Sequence, residues 1–174
     1  DDEGNSTRVR WYVPDPYFVV YPHSEEIEGW VWAPFALVSL TIGTYHTSEV
    51  SDKDGYVYFN TFPFDISSGQ SVIINDGFNE KTHIVKDITI TNIDQILDTV
   101  SGTAEPESIV NVGACDEFDC HWQEQPATGG VWSASFLGVI EIAPGSSGGA
   151  HQWDENGDGT SVNWYIDYPR FTVN

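Results

Sequence analysis

The residues whose types and spacing come closest to doing chemistry are Asp154-Glu155-Asn156-Gly157-Asp158-Gly159-Thr160. Oxygen-bearing residues at the first, third and fifth positions, a glycine that turns the loop, and an oxygen at the seventh are what Ca²⁺ coordination asks of a chain. The expected ligands are Asp154, Asn156, Asp158 and Thr160. Tyr165 stands where an EF-hand would place its bidentate Glu, and Asp167 completes the shell only if the chain folds back. The same composition also makes a solvated Asp/Asn/Gly hairpin turn. Asp52-Lys53-Asp54-Gly55 is a shorter version of the pattern. Extracellular sites of this kind bind with Kd of roughly 10⁻⁴–10⁻³ M. Filled at a hundred times Kd, such a site adds about 2.7 kcal/mol of stability.

The two cysteines, Cys115 and Cys120, sit close together in Cys115-Asp-Glu-Phe-Asp-Cys120. Between short strands this spacing suits a disulfide across a hairpin end, contributing about 2 kcal/mol on the chain-entropy model. His121 adds only one further ligand, too few for zinc. A disulfide implies an oxidising compartment. Asn5-Ser6-Thr7 is an N-glycosylation sequon and agrees with secretion.

Catalytic patterns are absent. Asp98-Thr99-Val100 lacks the glycine of an aspartic-protease triplet, and the serines near Gly145 to Gly149 stand in no nucleophile-elbow context. The five histidines are scattered, and with 27 carboxylates a glycosidase-like pair would occur by chance. No enzyme is expected. Aromatics cluster instead at Trp11-Tyr12, Tyr17-Phe18, Trp30 and Trp32, Tyr56/Tyr58 and Trp164-Tyr165. Trp30 and Trp32 would share one strand face, since side chains repeat every two residues. Such rows either fill a core or, if exposed, stack on sugar rings.

The elements that must position these residues read as short strands. Val9–Val13, Tyr17–Tyr21, Ala36–Ile42, Tyr56–Asn60, Ser71–Ile74, Lys81–Thr91, Ile109–Val112, Val131–Phe136, Ser161–Ile166 and Phe171–Val173 alternate or run apolar between turn signals. Asp54-Gly55 and Asp76-Gly77 are hairpin dipeptides. No helical periodicity with caps runs over three turns, and no apolar run approaches the roughly 20 residues that span a bilayer. The prediction is an all-β chain of two antiparallel sandwich units in tandem.

An internal repeat supports two units. Gly29 aligns with Gly102, Gly55 with Gly130 and Gly69 with Gly145, offsets of 73, 75 and 76 residues in the same order. Val100-Ser-Gly102-Thr-Ala104-Glu-Pro106-Glu-Ser-Ile109-Val110-Asn-Val112 followed by Gly129-Gly130-Val131-Trp132-Ser-Ala-Ser-Phe136 resembles the bacterial Ig-like modules of secreted surface proteins. In those modules V-x-G-x-A-x-P-G-x-x-V-x-V leads into a D-x-D-G-x-F/W hairpin. The first unit carries Asp52-Lys53-Asp54-Gly55-Tyr56-Val57-Tyr58-Phe59, and Glu107 replaces the glycine after Pro106. The resemblance covers roughly residues 17–166 and implies an Ig-like sandwich of spacer, adhesive or polymer-subunit type. The expected division is an N-terminal extension at 1–16, units at 17–93 and 94–167, and a C-terminal strand at 168–174.

Charge narrows the partners. Twenty-seven Asp and Glu against 6 Lys and Arg give −21, which disfavours nucleic acid and anionic membranes. Arg8, Arg10 and Arg170 are half of the cations and lie near the ends. Arg8, Val9, Arg10, Trp11, Tyr12 and Val13, with Arg170, Phe171 and Val173, form segments suited to strand exchange. Open, head-to-tail strand addition gives a filament. The expectation is a secreted, cell-surface homopolymer subunit supported by Ca²⁺. The alternative is a carbohydrate-binding or adhesive Ig-like module that takes glycans through exposed aromatics.

Overall fold

A computed structural model describes residues 14–169. The segments 1–13 and 170–174 lie outside them, and with them the expected glycosylation site Asn5 and the exchange segments Arg8–Val13 and Arg170–Val173.

The first sandwich is built from β1 (Tyr17–Tyr21), β2 (Glu26–Trp30), β3 (Leu37–Ile42), β4 (Tyr45–Val50), β5 (Val57–Asn60), β6 (Ser71–Asn75) and β7 (Glu80–Ile84). The second uses β8 (Thr89–Asp94), β9 (Thr99–Thr103), β10 (Ile109–Cys115), β11 (Cys120–Pro126), β12 (Val131–Ser135), β13 (Ser147–Trp153) and β14 (Gly159–Tyr165). Among the described residues there is no helix, as the periodicity predicts.

Both units have one topology. In the first, β1-β2-β5 faces β4-β3-β6-β7; in the second, β8-β9-β12 faces β11-β10-β13-β14. The strands alternate as half-buried strands must: Val38, Leu40 and Ile42 of β3 point inward while Leu37 and Ser39 point out. One core gathers Phe18, Ile27, Leu40, Phe59 and Ile74, the other Val110, Val112, Trp132, Phe136 and Val162.

The repeat is therefore physical. Gly29 on β2 and Gly102 on β9 sit at the same place, and a Cβ on either would come within 2.5 Å of a buried indole, Trp32 or Trp132. Glu25 and Asp98, both at positive φ, accept the amides of Ile66 and Ile142 at 2.7 and 2.9 Å. The residue after each Pro of the motif, Phe35 or Glu107, has φ of 57° or 61°, the region where glycine is at ease.

Two expectations need correction. Lys81–Thr91 is two strands, β7 and β8, because the chain changes sandwich between them: Val85 packs in the first core and Ile88 in the second. β8 accordingly pairs with β9, and the two cores part between Val85 and Ile88, ahead of the expected division at 93/94. Trp32 does not share a face with Trp30. It lies past the end of β2, where Val31 at φ 64° turns it into the core.

The sandwiches are also joined sideways. β1 pairs in parallel with β14, Val19 opposite Gly159 and Val20 opposite Thr160. One seven-stranded sheet, β11-β10-β13-β14-β1-β2-β5, runs through both units.

Candidate functional site

The Asp154–Thr160 segment is the hairpin tip between β13 and β14, and it reaches the first sandwich. Asp154 Oδ1 accepts the amides of Asn156 (2.8 Å) and Asp158 (3.1 Å), fixing the turn with Gly157 at φ 80°. Asp154 Oδ2 lies 2.8 Å from His83 Nδ1, and His83 Nε2 lies 2.9 Å from Thr160 Oγ1. The Lys86 amide donates to that same Oγ1 at 2.9 Å. Asp158 Oδ1 accepts the Phe18 amide at 3.0 Å. Lys81 donates to the Asn156 carbonyl at 3.2 Å and pairs with Asp15.

Protonation follows from these partners. An ionised carboxylate only accepts, so the His83 proton sits on Nδ1, facing Asp154. Burial lowers the His83 pKa, against the raising pull of Asp154, and keeps the ring neutral. Nε2 then accepts the Thr160 hydroxyl proton. Burial also pushes Asp158 up to about 6, only partly offset by the Phe18 amide. Its Oδ2 has no partner among the described residues.

Thr160, His83 and Asp154 thus have the connectivity of a nucleophile, base and orienting acid. Access decides against catalysis. Thr160 is fully buried and His83 is 1 % exposed, while a lone pair of Oγ1 is held by the Lys86 amide. No substrate carbonyl can approach that oxygen. The relay is a polar fastener between units.

The same contacts bear on calcium. The four expected ligands are close in sequence, and most of their oxygens are already engaged: Asp154 by two amides and His83, Thr160 by His83 and the Lys86 amide, and Asp158 Oδ1 by the Phe18 amide. An ammonium sits on the Asn156 carbonyl. Among the described residues no group of three or more His, Cys, Asp or Glu is placed to hold a metal. As arranged, these oxygens do not form a complete Ca²⁺ shell. Asp52 repeats the geometry, with its Oδ1 accepting Asp54 and Tyr56 amides at 2.8 and 2.9 Å before Gly55 at φ 78°. Asp76 and Asp116 cap their own turns likewise. Backbone donation holds Asp52 and Asp116 below the usual carboxylate range. Part of the acidic surplus is turn-making chemistry.

Cys115 and Cys120 form the expected disulfide, at directly paired positions of the β10–β11 hairpin. Of the expected aromatics, Trp164 is largely buried in the second core, whereas Trp30 is half-buried on the outer face. There it stacks on Tyr17 at 5.2 Å and meets Tyr56 at 5.9 Å. The sequence reading missed a second group, Trp122, His151 and Trp153, with ring centroids 4.9 and 5.7 Å apart. His151 and Trp153 two apart on one strand were the available signal.

No protein-family model matches the chain, and no curated protein matches it. Its fold is similar to solved structures. A tetra-tandem repeat from the extending region of a large adhesion protein aligns at 18% identity and TM-score 0.34, covering 87% of this chain and 49% of that one. A Ca²⁺-stabilized adhesin that helps an Antarctic bacterium reach out and bind ice aligns at 13% and 0.34, covering 88% and 48%. A cytokine receptor complex aligns at 9% and 0.30, covering 89% and 98%. The chain spans about half the length of both adhesin chains, and likeness this distant has no bearing on function. By its own strand order, the chain is a tandem of two Ig-like β-sandwiches.

Proposed function

We propose that this chain is a non-catalytic structural and adhesive element of an extracellular surface, in which two sandwiches are held in fixed register. The observation that carries this reading is the junction: parallel pairing of β1 with β14, locked by Asp154, His83, Thr160 and Asp158. Linker-joined domains normally move against each other, whereas a shared sheet with buried polar bonds resists shear and bending. The disulfide supports an oxidising, extracellular setting. Buried titratable groups at the junction are spent on structure rather than on a reachable site.

Small-angle scattering of the full chain, with and without His83→Ala, tests the reading. A single elongation distance for the native chain, broadening in the variant, is expected. A broad distribution in the native protein would overturn it.

The finer reading is a filament or surface-layer subunit joined head-to-tail by strand exchange through Arg8–Val13 or Arg170–Val173. Three of six cations near the ends of a −21 chain favour association of ends with acidic bodies. The edge of β1 is taken over Val19–Val20 by β14, so an incoming strand would use another margin, such as β5 or β12. Negative-stain microscopy of the full chain and of a deletion of residues 1–13 distinguishes the outcomes. Fibres lost on deletion support exchange at that end, and a native monomer at every concentration excludes it.

A further inference from the structure

The outer face of the seven-stranded sheet, turned away from both cores, carries two aromatic platforms. At one end Trp122 on β11 lies over Gly113 on β10, where a Cβ would come within 2.6 Å of three indole carbons. Trp153 lies over Gly159 in the same way, at 2.7 Å. The glycines let both rings lie down on the sheet. With His151 between them and Asn111 paired opposite it, they line an open cleft of about 250 Å³. Trp122 and Trp153 are 47% and 45% exposed. Exposed tryptophans carry a large apolar area that water does not favour.

The floor of the cleft is polar and unsatisfied. Asn111 Oδ1 and His151 Nδ1 have no hydrogen-bond partner among the described residues. Both atoms are shut off from water as the rings lie, and a buried polar atom left unpaired is costly, so a shift of the indoles that lets a sugar hydroxyl pair with them is favoured. Burial lowers His151 to about 4, so at neutral pH the ring offers one donor and one acceptor and no charge.

The second platform, Tyr17-Trp30-Tyr56, lies on the same face of the same sheet. Tyr17 and Trp30 are opposite each other on β1 and β2, and Val19, opposite both Gly159 and Glu28, ties the two ends to one surface. β13 and β2 are separated by three inter-strand steps, about 14 Å. Between and beside the platforms stand Glu26, Glu28, Ser161 and Asn163. The described part of this face carries no Lys or Arg.

Flat rings, hydroxyl-pairing atoms and acidic surroundings select one ligand chemistry. We infer that this face binds a neutral polysaccharide chain lying across the strands, one sugar ring on Trp122-His151-Trp153 and a later one on Tyr17-Trp30. Sugars offer an apolar C–H face to an indole and hydroxyls to Asn111 and His151, the mixed lining expected of small-ligand sites. Anionic glycans are excluded by like charge. This goes beyond the structural role proposed above and does not depend on it.

The test is affinity electrophoresis of the full chain in gels containing hydroxyethylcellulose, galactomannan, dextran or heparin, with intrinsic fluorescence as a second readout. Retardation by at least one neutral polymer and none by heparin is expected. Trp122→Ala and Trp153→Ala should each weaken it at least tenfold, and Trp30→Ala should weaken long chains but not short oligosaccharides. Unchanged melting of each variant checks the fold, and Trp122→Phe, which keeps a ring, should retain part of the binding. No retardation by any neutral polymer, or retardation indifferent to Trp122→Ala and Trp153→Ala, overturns the inference. Selective retardation by heparin would do the same.

Discussion

Asp158 Oδ1 accepts the backbone N–H of Phe18 at 3.0 Å although 140 residues separate the two in sequence. The bond ties the start of the first sandwich to the last hairpin of the second. It sits where β1 joins β14, so the amide it satisfies belongs to a strand shared by both units. Burying a carboxylate for this purpose is costly unless its neighbours compensate, and at the junction they do so only in part.

His83 holds the other side of the same junction, through Asp154 and Thr160. His83→Ala removes the partner of the part-buried Asp154 Oδ2 and the acceptor of the buried Thr160 hydroxyl, whose oxygen keeps only the Lys86 amide. The expected cost is about 1–3 kcal/mol. Calorimetry should show one transition splitting into two as the sandwiches uncouple. A single unshifted transition would mean that the sheet pairing alone holds the units.

The pH dependence has two opposing parts. Asp158, pushed up to about 6 when folded, binds a proton more tightly in the folded than in the unfolded chain. Its contribution is most favourable below about pH 4 and is lost as pH rises through 6. His83 and His151 are depressed by burial, so their contribution is complete above their unfolded pKa and falls as pH drops below it. Asp158→Asn isolates the first part. The variant should be about 1–3 kcal/mol more stable than the native chain at pH 8, a gain that shrinks as pH falls towards 4. Chemical denaturation at several pH values measures it, and an Asn variant less stable at pH 8 would show that the charge is wanted there.

Fold class was legible because alternation survives in strands with one apolar face, such as β3, β5 and β6, and because repeated glycines mark turns that both units need. Other strands were not legible. β4 and β11 are polar margins with little to bury, and β13 opens Ser-Gly-Gly. Their pairing is dictated by neighbours, which a local pattern does not contain. The break inside Lys81–Thr91 was hidden for a related reason, since the run stays strand-like in composition while the partner sandwich changes. At the site, the Asp154–Thr160 spacing correctly marked a special loop, but which atoms face it depends on His83 and Phe18, far away in sequence. His83, the hub of the fastener, had no local signal at all.

Calcium is the expectation on which the loop's hydrogen bonds bear most directly. Because most of the loop oxygens are held by amides, His83 and the Lys81 ammonium, millimolar Ca²⁺ should raise the melting temperature no more than Mg²⁺ at equal ionic strength. Both act by screening the net charge of −21. Differential scanning fluorimetry with each ion and with EGTA measures this. A calcium-specific rise abolished by Asp154→Asn would show that the loop opens and rearranges around the ion.

The paired positions after the motif prolines give a prediction about strain. Phe35 and Glu107 both hold positive φ, a conformation costing an ordinary L-residue roughly 1–2 kcal/mol. Glycine removes that cost but loses more freedom on folding, about 0.5–1 kcal/mol. The Phe35 side chain is 71% exposed, so little packing is lost with it. Phe35→Gly should therefore raise stability by up to about 1 kcal/mol. Glu107 differs in one respect: its Oε1 accepts the Gly129 amide at 2.9 Å and holds the turn before β12. Glu107→Gly loses that bond and should come out near neutral or slightly destabilising. Parallel urea titrations compare the two. Equal gains at both sites would mean that the Glu107–Gly129 bond contributes nothing, and equal losses would mean that the left-handed positions are not strained.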